Sequence, residues 1–134
     1  MKNFRWLEKG DADLWVTLWA FITWVPDHLD EHLKRTEGMP LTDFLTLLAI
    51  AQGNSSATMT ELATATRMSP SRLSHVMDRL EKRGLTARTR SQADRRSSVA
   101  VLTPLGSDFL VGATPTLSER LRESIFEALT PEEA

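Results

Sequence analysis

The sequence predicts a mainly α chain of the α+β class, a winged helix-turn-helix set between long N- and C-terminal helices. Three observations carry that prediction. From Ser69-Pro70 onward, Leu73, Val76, Met77 and Leu80 recur at i, i+3, i+4 and i+7, which makes one apolar helical stripe. A shorter helix over residues 61–66, with Thr60 as its cap, lies just upstream and is joined to the first only by Arg67-Met68. Downstream the period changes: Thr86–Arg90 and Ser98–Leu102 alternate or carry β-branched residues, and the polar residues 91–97 lie between them.

Taken in chain order, Phe4, Trp6 and Leu7 suggest an ordered N-terminal arm. Leu14, Leu18, Ile22, Val25, Leu29 and Leu33 then step by three or four residues, with Phe21 widening the stripe. They predict one helix over residues 12–36, ended by Gly38 and Pro40. Pro26 removes an i→i−4 bond and predicts a kink or brief interruption near Trp24-Val25. The next helix is Leu41–Gln52, with Thr42 as cap and Asp43 at the positive end of its dipole. Phe44, Leu45, Leu47, Leu48 and Ile50 form its buried side. Residues 53–57 read as a turn, and Thr58-Met59 as a short third strand of the wing sheet.

In the helix that follows Ser69, the serine hydroxyl caps, Pro70 has no N–H to leave unpaired, and Gly84 closes the end after Lys82-Arg83. Its polar face carries Ser71, Arg72, Ser74, His75 and Arg79. Thr103-Pro104 repeats the Ser69-Pro70 device and opens a helix striped by Leu105, Phe109, Leu110, Ala113, Leu117, Leu121, Ile125 and Leu129, with a bend expected at Pro115. Thr130-Pro131-Glu132-Glu133 reads as a capping box that opens a further helix, so the sequence is expected to be cut short there.

The 134 residues suit a single domain, residues 1–134, with a sizeable core. Hydrophobic (41%) and charged (25%) content is ordinary for a soluble globular chain. No stretch approaches the ~18 apolar residues of a membrane span, and MKNFRWLEKGDADLW lacks the apolar core of a signal peptide. The expectation is a cytoplasmic protein with no membrane partner. With no cysteine, disulfides, thiolate catalysis and cysteine redox sensing are excluded. The formal net charge is −2, yet residues 67–96 hold nine basic side chains against three acids. A basic face on an acidic body is the footprint of a polyanion binder. A solvated charge run is the plainer alternative, which the helix-turn-helix around it disfavours.

The segments ELA, SPSRLSHVMDRLEKRGL and ADRRSSVAVLTPLG resemble the winged helix-turn-helix of the multiple-antibiotic-resistance regulator (MarR) family. The resemblance covers residues 41–106 well, the expected DNA-binding lobe, and the flanking helices (1–38 and 104–134) more loosely. It implies that those helices build a homodimer, and that the protein is a dimeric, sequence-specific DNA-binding transcriptional regulator. It further implies a repressor, released by a small aromatic effector from a pseudo-palindromic double-stranded operator. The family's wing motif Asp-x-Arg falls on Asp94 and Arg96. Arg96 is expected in a minor groove, whose narrowness deepens its negative potential, with Asp94 holding the guanidinium. Arg72 is best placed to take guanine O6 and N7, beside Ser71, Ser74 and His75. Ser69 and the amides at the helix start are expected on phosphate, and Arg79, Arg88, Arg90 and Arg95 add sequence-independent affinity. For Arg79 and Lys82, pairing with Asp78, Glu81 or an acidic residue of the body is the alternative.

Trp15 and Trp19 are i, i+4 neighbours. Together with Phe44 they suggest an aromatic ligand pocket between the first helix and the DNA-binding lobe. Burial in a dimer core is the competing and preferred reading, since tryptophans dominate such interfaces. His28 and His32 share the same spacing, which can chelate a transition metal. With only His75 left and no cysteine, surface histidines near a helix end are preferred, and no metal or cofactor is expected. No enzyme motif is recognisable: there is no tyrosine, no Gly-rich phosphate loop and no His-Glu metal motif. The remaining class is a winged helix used only for protein interaction, which has no need of Asp94 and Arg96 on a basic tip.

Overall fold

Gly38 ends the first helix as its position predicts, because φ +65 lies in the left-handed region where a Cβ is strained. The computed structural model describes residues 4–90 and 98–129. Its elements are α1 (Lys9–Glu37), α2 (Leu41–Gln52), β1 (Ser56–Thr58), α3 (Met59–Thr66), α4 (Pro70–Lys82), β2 (Thr86–Arg90), β3 (Ser98–Leu102) and α5 (Pro104–Leu129). The wing tip with Asp94, Arg95 and Arg96, and the expected capping box at residues 130–133, lie outside the described residues.

Both long helices run unbroken through their prolines, so of the kink or brief interruption expected at Pro26 the interruption does not occur. Pro26 and Ile22 are both exposed, as are Pro115 and Val111. The carbonyl that each proline leaves unbonded thus opens to water, and the helix continues. Two caps also differ from expectation. The N-cap of α2 is Pro40, and the first amide, Leu41 N–H, donates to Asp30 Oδ1 of α1 at 2.7 Å. Thr42 instead turns its hydroxyl to Asp43 Oδ1 at 3.3 Å. The α3 cap is Thr58, two residues before the expected Thr60. Its hydroxyl accepts from Glu61 N–H at 3.0 Å while Glu61 reaches back, a full capping box. That cap starts α3 at Met59, so β1 is Ser56–Thr58 and not Thr58-Met59.

The sheet has the order β1-β3-β2, antiparallel throughout, with Ala57 opposite Ala100 and Arg88 opposite Ala100 on the other edge. The core gathers Leu33, Met39, Phe44, Leu47, Ile50, Leu62, Leu73, Val76, Met77 and Leu80, so α2 is wrapped by α3, α4 and the sheet. Leu45 departs from the expected buried side and is 46% exposed. The second half of α1 buries Val25, Leu29 and Leu33, but Leu14, Trp15, Leu18, Trp19 and Ile22 remain exposed. In the arm ahead of α1, Phe4 and Trp6 are largely exposed among the described residues. Among the described residues, no helix is long and apolar enough to cross a membrane.

Candidate nucleic-acid interface

Two short connections aim α4. At its start, Arg67 takes φ +57, which ends α3 and tucks Met68 into the core, and Ser69 Oγ then accepts from Arg72 N–H at 3.1 Å. Leu73 N–H goes to Ser69 O, and Pro70 has no N–H, so Ser71 N–H faces outward at the helix tip. At its end, Leu85 N–H reaches Leu80 O at 3.1 Å and Gly84 N–H reaches Glu81 O at 2.9 Å. With Gly84 at φ +74 this is a Schellman motif, so the chain leaves α4 directly into β2. Thr103 locks the junction, donating to Gly84 O at 2.6 Å and accepting from Gly106 N–H at 3.0 Å.

Between these ends the helix is divided cleanly. Leu73, Val76, Met77 and Leu80 are buried, while Ser71, Arg72, His75, Asp78 and Arg79 are exposed and Ser74 half-buried. The expected arginines then part company. Arg72 makes no ion pair among the described residues and borders an open cavity of about 340 Å³ that also touches Thr42, Gln52 and Arg67. Arg90, at the end of β2, is likewise exposed and without an ion pair among the described residues.

Arg79, for which pairing with an acid of the body was the alternative to phosphate, and Arg88, expected on phosphate, are both engaged within the chain. Arg79 forks onto the buried Asp43, a partner that sequence reasoning placed only at the dipole of its own helix. Arg88 is held by Asp78 and Glu81 of α4, and its pKa is raised chiefly by the Glu81 hydrogen bond, burial opposing. Arg83 also turns inward, donating to Glu37 O at 3.1 Å and lying 5.3 Å over the ring of Phe109.

The residues expected to share a ligand pocket are not brought together. Phe44 lines a cavity of about 320 Å³ with Leu29, Leu45, Leu48, Thr114 and Leu117, between α1, α2 and α5. Trp15 and Trp19 do not line it; their rings lie 5.9 Å apart on the exposed half of α1. Trp24 stacks on His28 at 4.8 Å, and His32 turns into the α1–α5 contact beside Arg120. Among the described residues, no group of three His, Cys, Asp or Glu is placed to hold a metal ion.

The family model described as MarR family matches residues 37–97. Over 99% of this chain and 84% of its own, Sco3205 from Streptomyces coelicolor, a MarR family transcriptional regulator solved in complex with DNA, is 34% identical with a TM-score of 0.83. The chain belongs to the MarR family. AbsC, a second MarR family transcriptional regulator from Streptomyces coelicolor, is 30% identical over 97% of this chain and 88% of its own, again with a TM-score of 0.83. BpsR from Bordetella bronchiseptica, whose DNA binding is regulated by 6-hydroxynicotinic acid, shares the fold at 21% identity and a TM-score of 0.71, over 98% of this chain and 89% of its own. No curated protein sequence matches the chain. Within this MarR-family fold α3 and α4 form the helix-turn-helix and β2–β3 the wing.

Proposed function

We propose that the chain is a dimeric, sequence-specific DNA-binding transcriptional repressor, released from a pseudo-palindromic operator by a small aromatic ligand. One observation carries the DNA reading: α4 spends one face on the core and holds Ser71, Arg72 and His75 out on the other, with Arg72 unpaired among the described residues. A guanidinium free in the first turn of such a helix is the donor that takes guanine O6 and N7. Ser74 borders the same face, Ser69 and Ser71 N–H take phosphate, and Arg90 adds charge. On the wing, Arg96 enters the minor groove and Asp94 orients it, with Arg95 on the backbone.

The homodimer reading is supported by the apolar half of α1, Leu14 to Ile22, which nothing among the described residues covers. Trp15 and Trp19 belong to that face. The ligand reading is supported by the cavity at Phe44, whose apolar walls and two hydroxyl-bearing residues, Thr114 and Ser118, suit a small ring with a polar substituent.

Selection of bound duplexes from a random pool tests the DNA reading. The expected product is a pseudo-palindrome with half-sites about 10 base pairs apart centre to centre. Enrichment of no sequence, with the chain folded and dimeric, would favour a protein-interaction module. A gel shift of the selected duplex with a panel of aromatic carboxylates and phenols then tests release, for which a coupling of ~1–3 kcal/mol suffices.

A further inference from the structure

We propose that Arg88 is a specificity-determining positioning residue: gripped by Asp78 and Glu81, it sets where the wing stands relative to the recognition helix. The inference rests on the DNA-binding reading above and adds to it a role for two acids on the DNA-facing side.

The grip is specific. Arg88 Nε donates to Glu81 Oε1 at 2.5 Å, and Nη2 donates to Asp78 Oδ1 at 2.6 Å and to Glu81 Oε2 at 3.3 Å. Nε carries one hydrogen and Nη2 two, so every donor on that edge of the guanidinium is used. What the grip joins matters as much. Arg88 is the middle residue of β2 and pairs with Ala100, the fully buried middle of β3, so both wing strands move with it. Asp78 follows Met77 and Glu81 follows Leu80, both fully buried, so the acids are fixed by the packed side of α4. Core, recognition helix and wing are thus joined through one planar fork.

Electrostatics alone gives these carboxylates no place here, because they repel the phosphate backbone. Their use is geometric, since base contacts from α4 and groove contacts from the wing must be in register at once. Arg90 provides an internal contrast. It lies two residues on, on the same side of the strand, without an ion pair among the described residues, and so is left to act as a plain phosphate contact.

The test uses the full chain, the duplex that the wild-type protein selects from a random pool, and a scrambled duplex of equal composition. Affinities are read by fluorescence anisotropy across salt, with melting temperatures to confirm folding. The near-isosteric double variant Asp78→Asn/Glu81→Gln is expected to bind the selected duplex about tenfold more weakly, although two negative charges are gone, and to bind the scrambled duplex as well as or better than wild type. Arg88→Lys, whose ammonium keeps the charge but lacks the planar fork with separate Nε and Nη2 donors, is expected to lose specificity with an unchanged salt slope. Arg90→Ala is expected to weaken both duplexes alike and lower the slope by about one. Tighter binding of both duplexes by the double variant overturns the proposal, as does an Arg88→Lys variant with wild-type specificity. If the wild-type protein enriches no duplex, the DNA reading itself fails and takes this inference with it.

Discussion

Asp43 and Arg79 meet across α2 and α4 in a two-bond fork, Nε to Oδ2 at 2.9 Å and Nη2 to Oδ1 at 2.8 Å. The pair is lopsided: the Asp43 side chain is 3% exposed and that of Arg79 50%. A carboxylate in the first turn of α2 therefore holds the rotation of α4, and the arginine's outer edge remains in water.

Arg79→Ala should leave that carboxylate buried without its partner and cost about 1–3 kcal/mol of stability. This is less than the ~3–5 kcal/mol of a fully buried pair, because half of the guanidinium is already solvated. Asp43→Asn should cost less, since the amide keeps one acceptor oxygen. Urea unfolding of both single variants and the double variant gives the coupling. An Arg79→Ala chain as stable as wild type would show that the fork does not hold α4.

Arg72→Ala should behave in the opposite way. The Arg72 side chain pairs with nothing among the described residues, and its backbone N–H still reaches Ser69 Oγ, so stability should stay within about 0.5 kcal/mol. DNA affinity should fall by about 1–3 kcal/mol, with preference relaxed at one base position. Binding-site selection with the variant checks both; an unchanged selected sequence would remove Arg72 from base readout.

The contrast between two glycines of α5 is equally direct. A Cβ on Gly106 would stand 2.1 Å from Leu85 O, which cannot move away because it accepts Thr103 N–H. Gly106→Ala should destabilise by about 2–4 kcal/mol. Around Gly112 nothing lies within 4 Å, so Gly112→Ala should stabilise the isolated chain by about 0.5–1 kcal/mol through helix propensity. Thermal melting of the two variants under one condition checks the order.

The pH profile should have two windows. His32 is held below its ordinary 6.5 by burial first, then by Arg120, Arg35 and His28, with Glu37 opposing. In acid the unfolded chain gains this proton before the folded one does, so stability should decline as pH falls below about 6.5. His32→Gln should flatten that decline. Asp30 is subject to burial, which raises it, but the Leu41 amide and Lys34 prevail and hold it below its ordinary 3.8. Its contribution is present above that value and is lost as the pH falls through the depressed one. Urea midpoints across pH for wild type and His32→Gln separate the two; an unaltered slope near pH 6 would discount His32.

Periodic features were legible in the sequence. The α4 stripe and both wing strands stand where Leu73 to Leu80 and the alternation in 86–90 and 98–102 put them. The N-caps of α2 and α3 were not, because Thr42, Thr58 and Thr60 are all chemically able and tertiary structure chooses among them: Asp30, eleven residues back, supplies the Leu41 N–H acceptor. The role of Asp43 was hidden for the same reason, since its partner lies 36 residues away. Arg88 read as a phosphate contact because strand alternation shows which side a residue faces, not that two acids of the preceding helix are waiting there.

The division of α4 has a consequence for descent. Arg79 apart, which is exposed and yet holds Asp43, the residues that hold the helix in the core and those that face outward share no position, and both ends of the helix are pinned by capping and by the Gly84–Thr103 bond. Substitutions at Ser71, Arg72 or His75 can therefore accumulate in duplicated copies without a folding defect, while changes at Leu73, Val76 or Met77 are removed before their effect on recognition is ever tested. On α4, divergence between copies of this chain is thus an exchange of outward side chains over a packed face that stays the same.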